Sequence, residues 1–118
     1  MFKTETEIWE AVKQLKGQTI YTLSHRKPNQ IIEVDDTGNL WDEIHILDRH
    51  TKPTREDVLE AYKTLVENKE LERKRDLAHL SGVNKQKSAI VFALVYYIAK
   101  ERAELITRDR RVVIILKS

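Results

Sequence analysis

A chain of 118 residues is long enough for one domain with a buried core and needs no covalent staple. It contains no cysteine, which excludes disulfides and thiolate metal sites. Its net charge of +2 hides an asymmetry: residues 1–48 carry 5 basic and 9 acidic side chains, a net of −4, whereas residues 49–118 carry 16 and 10, a net of +6. A positive field in the second half suits a polyanionic partner, although a chain that is 34% charged leaves some imbalance by chance.

The start Met1-Phe2-Lys3-Thr4-Glu5 lacks the apolar core of a signal peptide. The longest apolar run, Ala89 to Ala99, is far short of the roughly 20 residues that span a membrane. A soluble, cytoplasmic protein is therefore expected.

In chain order, Thr4 and Glu7 have the spacing of a helix-capping pair, and Ile8, Ala11, Val12 and Leu15 recur on one face. This predicts an amphipathic helix over residues 4–16, ended by Gly17, with Trp9 flanking its buried face. Thr19 to Leu23 and Ile31 to Val34 predict two strands of a hairpin whose long loop, Ser24 to Gln30, contains Pro28. A turn at Asp36-Thr37-Gly38-Asn39 leads to a third strand, Leu40 to Leu47. Its imperfect alternation calls for a bulge near Asp42. Within this acidic half the loop at His25, Arg26, Lys27 and Asn29 is basic and rich in hydrogen-bonding groups, a secondary contact for phosphate or base edges. The competing reading is a merely solvated loop.

Catalysis finds little support. The candidates are Asp35-Asp36, Asp42-Glu43 and the set His45, Asp48 and His50, but His45 and His50 have opposite parity on a strand and face opposite sides. No carboxylate pair is followed by the Glu-x-Lys of a nuclease core, and three glycines provide no phosphate-cradling loop. No catalytic residue, metal or cofactor is expected.

In the second half, Pro53 and Thr54 mark a helix start, with Thr54 as N-cap and Val58, Ala61, Tyr62, Leu65 and Val66 as the buried stripe. Glu70 to Leu80 predicts a second helix that turns Leu71, Leu77, Ala78 and Leu80 inward and exposes Arg73, Lys74 and Arg75. Ser81-Gly82 and Val83 then supply the turn of a helix-turn-helix, with Ala78 allowing close helix crossing. The competing reading is an ordinary helical hairpin. The helix that follows opens with Asn84, Lys85, Gln86, Lys87 and Ser88 and is then apolar on every face from Ala89 to Ala99. Its first turn can enter a major groove, with Asn84 or Gln86 suited to adenine and Lys85 or Lys87 to guanine or phosphate. The remainder must be wrapped by the N-terminal sheet or by a second copy, which raises a homodimer through residues 89–99. A central core helix with a solvated first turn is the plainer alternative. Glu104 to Thr107 and Arg111 to Lys117 predict a terminal hairpin with Arg108, Asp109 and Arg110 at its tip. Arg108, Arg110 and Arg111 there suit phosphate contact, or guard an aggregation-prone strand.

The expected fold is α+β: an N-terminal helix and three-stranded antiparallel sheet (residues 1–48) packed on a winged helix-turn-helix (residues 49–118) as one compact unit. Double-stranded DNA is the expected partner. A protein-interaction module of the same fold is the alternative.

With these segments laid out, Gly17 to Ser24, Lys27-Pro28-Asn29, Ala61-Tyr62-x-x-Leu65 and Lys87-Ser88-Ala89-Ile90-Val91-x-Ala93-Leu94 carry a resemblance. The chain resembles small winged-helix-like modules that accompany nuclease domains in bacterial and archaeal restriction systems. The resemblance implies a DNA-targeting accessory or regulatory module in defence or transcription, sensitivity to base modification being one option. Catalysis would then be supplied elsewhere, since this chain has no nuclease domain of its own.

Overall fold

In a computed structural model, which describes residues 4–80 and 86–117, the first helix α1 runs Glu5–Lys13. Thr4 Oγ1 accepts the Glu7 N–H at 3.1 Å, so the cap forms as its spacing predicts. Regular helix stops at Lys13, and Gly17, at φ 84°, closes the turn that follows. Trp9 does not flank the buried face; it lies at its centre, 1% exposed, its indole N–H donating to the Asp35 carbonyl at 2.9 Å. A ring of that size is buried only when its N–H finds a partner.

Three antiparallel strands follow, β1 (Thr19–Tyr21), β2 (Pro28–Val34) and β3 (Ile44–Ile46), in the spatial order β1-β2-β3. β1 ends early because Thr22 turns its hydrogen bonds inward on the loop. Its N–H donates to the Lys27 carbonyl at 3.0 Å and its hydroxyl accepts the Lys27 N–H at 2.9 Å. Pro28 belongs to β2, as its first residue, where a missing N–H costs nothing. The bulge sits in β2, between Ile31 and Glu33, and not near Asp42. Asp42 instead leaves the strand and is buried, accepting hydrogen bonds from the Thr37 hydroxyl and from the Thr37 and Gly38 N–H groups.

The second helix, α2 (Arg55–Asn68), starts at a reciprocal capping box: the Thr54 hydroxyl accepts from Asp57 N at 3.2 Å and the Asp57 carboxylate accepts from Thr54 N at 3.0 Å. The Asp42 and Leu40 carbonyls accept two further first-turn amides, from Arg55 at 2.8 Å and Glu56 at 2.7 Å. Val58, Leu59, Ala61, Tyr62 and Leu65 are buried, whereas Val66, expected in this stripe, is exposed.

The predicted helix over Glu70 to Leu80 is not continuous. Glu70–Glu72 is a strand, β4; a single helical turn, α3 (Arg73–Asp76), and a 3₁₀ turn at Ala78–Leu80 follow. Lys69, at φ 61°, ends α2 in a left-handed cap, and Leu71 pairs with Ile114, so sheet pairing overrides a weak helical preference. Leu71 and Leu77 are buried as expected, but Ala78 is exposed, so it makes no close helix crossing. The Ser81-Gly82-Val83 turn lies outside the described residues.

α4 (Gln86–Ala99) is the centre of the molecule, packed against α1, α2, β1 and β5. Ile90 to Val95 are all buried within this chain, whereas Ala89 and Tyr96 to Ile98 are partly exposed. β5 (Ala103–Arg108) and β6 (Arg111–Leu116) form a hairpin through Asp109 and Arg110, both at positive φ (52° and 67°), the two-residue geometry that matches strand twist. β6 lies between β4 and β5. One hydrophobic cluster joins residues from α1 through β6. Among the described residues no helix is long and apolar enough to cross a membrane.

Candidate nucleic-acid interface

The cations around β4, the β5–β6 hairpin and the start of α4 form two populations. In the first, every guanidinium has a carboxylate. Arg75 places Nη2 3.0 Å from Asp76 Oδ2 and Nη1 3.0 Å from Glu70 Oε2; Arg108 Nη1 is 3.0 Å from the same Glu70 oxygen. Arg111 Nη1 is 2.9 Å from Glu72 Oε1. The strand β4 explains this assembly, because its carboxylates meet α3 on one side and the β5–β6 hairpin on the other.

The titration behaviour follows from these contacts. Arg108 first and Arg75 second hold the Glu70 carboxyl below its ordinary value. Burial pushes Asp76 up, but the Arg75 hydrogen bonds and the Glu72 N–H outweigh it and the net displacement is downward. Arg75 is raised well above its usual range, by Asp76 and then Glu70. Three arginines and three carboxylates leave no net charge here for a polyanion.

The second population lines a cleft. A cavity of about 300 Å³ opens between the β1–β2 loop and the start of α4, walled by Ser24, His25, Lys27, Asn29, Arg49, Arg73 and Gln86 over an apolar floor that includes Leu23, Ile90 and Phe92. It adjoins a hollow of about 200 Å³ that shares Ser24, His25, Arg73 and Phe92 and adds Lys74, Arg110 and Arg111. Lys27, Lys74 and Arg110 make no ion pair with any described residue. Among the described residues the Arg73 side chain donates to the Ser88 hydroxyl, at 3.2 Å, and Arg49 to the Asn29 side-chain oxygen, at 3.2 Å. Those bonds aim the guanidinium groups without neutralising them.

No protein-family model, curated protein or solved structure matches this chain.

The individual expectations separate accordingly. Arg73, Lys74, Gln86, Arg110 and Arg111 meet His25, Lys27 and Asn29 along one cleft, so the loop expected to be secondary forms half of its wall. Arg75 and Arg108 belong to the neutralised assembly, and Arg111 both lines the hollow and pairs with Glu72. Lys87 is tied to Asp57 at 2.9 Å, and Arg26 lies over the Tyr21 ring, its guanidinium carbon 6.0 Å from the centroid. Asn84 and Lys85 lie outside the described residues. Asn29 is 4% exposed, with Nδ2 donating to the Lys27 carbonyl at 3.1 Å and Oδ1 held by Arg49. It is a positioning residue more than a surface contact.

Arg49 was absent from the sequence expectation. Its only signal was a cation close after β3, and its role depends on Asn29, 20 positions away. Of the groups weighed for catalysis, His45 Nε2 lies 3.0 Å from Asp35 Oδ1 and takes no part in the cleft walls.

Proposed function

We propose that this protein is a non-catalytic DNA-binding module of the winged-helix type, a regulatory or targeting accessory in a prokaryotic defence or transcription setting such as a restriction system. The observation that carries the reading is the convergence of Lys27 from the β1–β2 loop and Arg49 from just after β3 with Arg73, Lys74 and Arg110 on a single cleft, none of them with an acidic partner among the described residues. The order helix, strand, two helices, hairpin, with the last strand central in its sheet, supports a winged-helix assignment. In this reading the β5–β6 turn is the wing and Gln86 is the described side chain suited to a base edge, adenine best.

Because the middle of α4, Ile90 to Val95, is covered within the chain, the binding unit proposed is the monomer. Fluorescence anisotropy on random duplex DNA across a salt series tests the whole reading. Five phosphate-neutralising cations predict a log-log salt slope of about −4.5.

The alternative, a protein-interaction module of the same fold, draws on one observation. Trp41 is 71% exposed beside the exposed Leu40. A large ring in solvent suits a protein partner. Absence of duplex binding at low salt would favour that alternative.

A further inference from the structure

We infer that the cavity between the β1–β2 loop and α4 is a binding site for a single nucleotide unit, its phosphate held by Lys27, Arg49 and Arg73 and its base laid on the apolar floor. This deepens the DNA reading and rests on it for the class of ligand. Three features of the cavity select the chemistry.

First, its polarity is divided. Leu23, Ile90 and Phe92 are buried and form an apolar floor, while the cations stand at the rim. A ligand that satisfies both has a flat apolar body and an anionic end. A bare anion would leave the floor unused, and an apolar molecule would leave three cations unanswered.

Second, the guanidinium groups are aimed. Asn29, itself fixed by the Lys27 carbonyl, takes Arg49 through Nε, which leaves both terminal nitrogens of Arg49 for phosphate oxygens. Ser88, fully buried, takes one terminal nitrogen of Arg73. The geometry thus presents forked donors of the kind that bind a phosphate bidentately.

Third, size and surroundings limit the ligand. A volume of about 300 Å³ sits at the small end of ligand sites, suited to one nucleotide and not to a dinucleotide cofactor. The adjoining hollow, with Lys74 and Arg110, extends the positive surface from the cavity mouth along a line that a neighbouring phosphate can follow. Ser24, His25 and Gln86 stand where a base edge can be met by hydrogen bonds.

The same chemistry has two sources, a free mononucleotide or a nucleotide displaced from a duplex. The full chain should be titrated calorimetrically with deoxyadenosine monophosphate, deoxyadenosine and inorganic phosphate. It should also be titrated against a duplex carrying 2-aminopurine, with anisotropy recorded on the same duplex. The expected result is binding of the monophosphate at least tenfold tighter than the nucleoside or phosphate alone. Ala89→Leu, which places bulk at the cavity wall from a half-buried position of α4, should weaken that binding at least tenfold while the thermal melt is retained. Arg49→Lys should weaken it more than fivefold, since an ammonium lacks the fork.

Enhanced 2-aminopurine emission on complex formation, abolished by Ala89→Leu, identifies displacement from the duplex as the source. Monophosphate binding without that enhancement identifies the free nucleotide. Salt-dependent duplex binding with neither signal overturns the inference and leaves the DNA reading intact. Monophosphate binding lost in Ala89→Leu, with no duplex affinity, overturns the DNA reading and leaves the cavity assignment standing.

Discussion

Two sets of arginines sit within a few residues of each other and do opposite things. Arg75 and Arg108 share Glu70, and Arg111 takes Glu72, so their charge is spent inside the fold. Arg73, next to Glu72 in sequence, points into the cleft and meets a hydroxyl instead of a carboxylate. A count of basic residues therefore overstates the field available to a partner. What matters is which cations the fold has already neutralised.

The sharpest way to break this contrast is to remove unpaired cations from the cleft. Lys27→Ala, Lys74→Ala and Arg110→Ala together should lower duplex affinity roughly a hundredfold at physiological salt and flatten the salt slope by about 2.7 units. Anisotropy over a salt series measures both. If affinity falls without a change in slope, these residues do not neutralise phosphates.

Next in size is the reverse experiment. Arg75→Ala leaves Glu70 with Arg108 alone and Asp76 without its guanidinium. Its loss should cost about 1 kcal/mol of stability in a urea melt, a value kept small by the partial exposure of Arg75, while leaving the salt slope unchanged. A changed slope with unchanged stability would move Arg75 into the binding population.

Acid titration sharpens the same point. The folded carboxyls of Glu70 and Asp76 lie below their ordinary values of 4.5 and 3.8, so their stabilisation is complete above those values and is lost as pH falls through the lower folded ones. The melting temperature of Glu70→Gln should sit below that of the wild type at neutral pH, and the two curves should converge as the solution is acidified. Parallel curves down to pH 2 would show that Glu70 contributes no such linkage.

The smallest effect is expected from Arg26→Ala. Its exposed contact with Tyr21 is worth about 0.5–1 kcal/mol and its charge lies off the cleft, so duplex affinity should change less than twofold.

Sequence reading succeeded where the deciding interactions were local. Thr4 with Glu7, and Thr54 with Asp57, define helix starts within four residues, and the Asp109-Arg110 hairpin tip is equally short-ranged. It failed at β4, because Glu70-Leu71-Glu72 suits a helix or a strand and the choice is made by distant pairing with β6. At the site, the positive residues are legible in the sequence and their pairing is not. The signal was nevertheless present, since Glu70, Glu72 and Asp76 bracket Arg73-Lys74-Arg75 in the chain. Arg49 was illegible for the opposite reason: only folding brings it to Asn29.

The bond between the Tyr21 N–H and the Tyr97 hydroxyl spans 76 positions, and α4, which arrives late in the chain, packs on the helix and first strand that came first. Such closure costs loop entropy before it is rewarded, which makes folding slower than that of a helical bundle held by local contacts. A growing polypeptide would expose the apolar inner surface of its opening sheet until α4 is synthesised. Truncating the chain before residue 86 should accordingly leave a chaperone substrate, whereas the full chain should melt in a single transition.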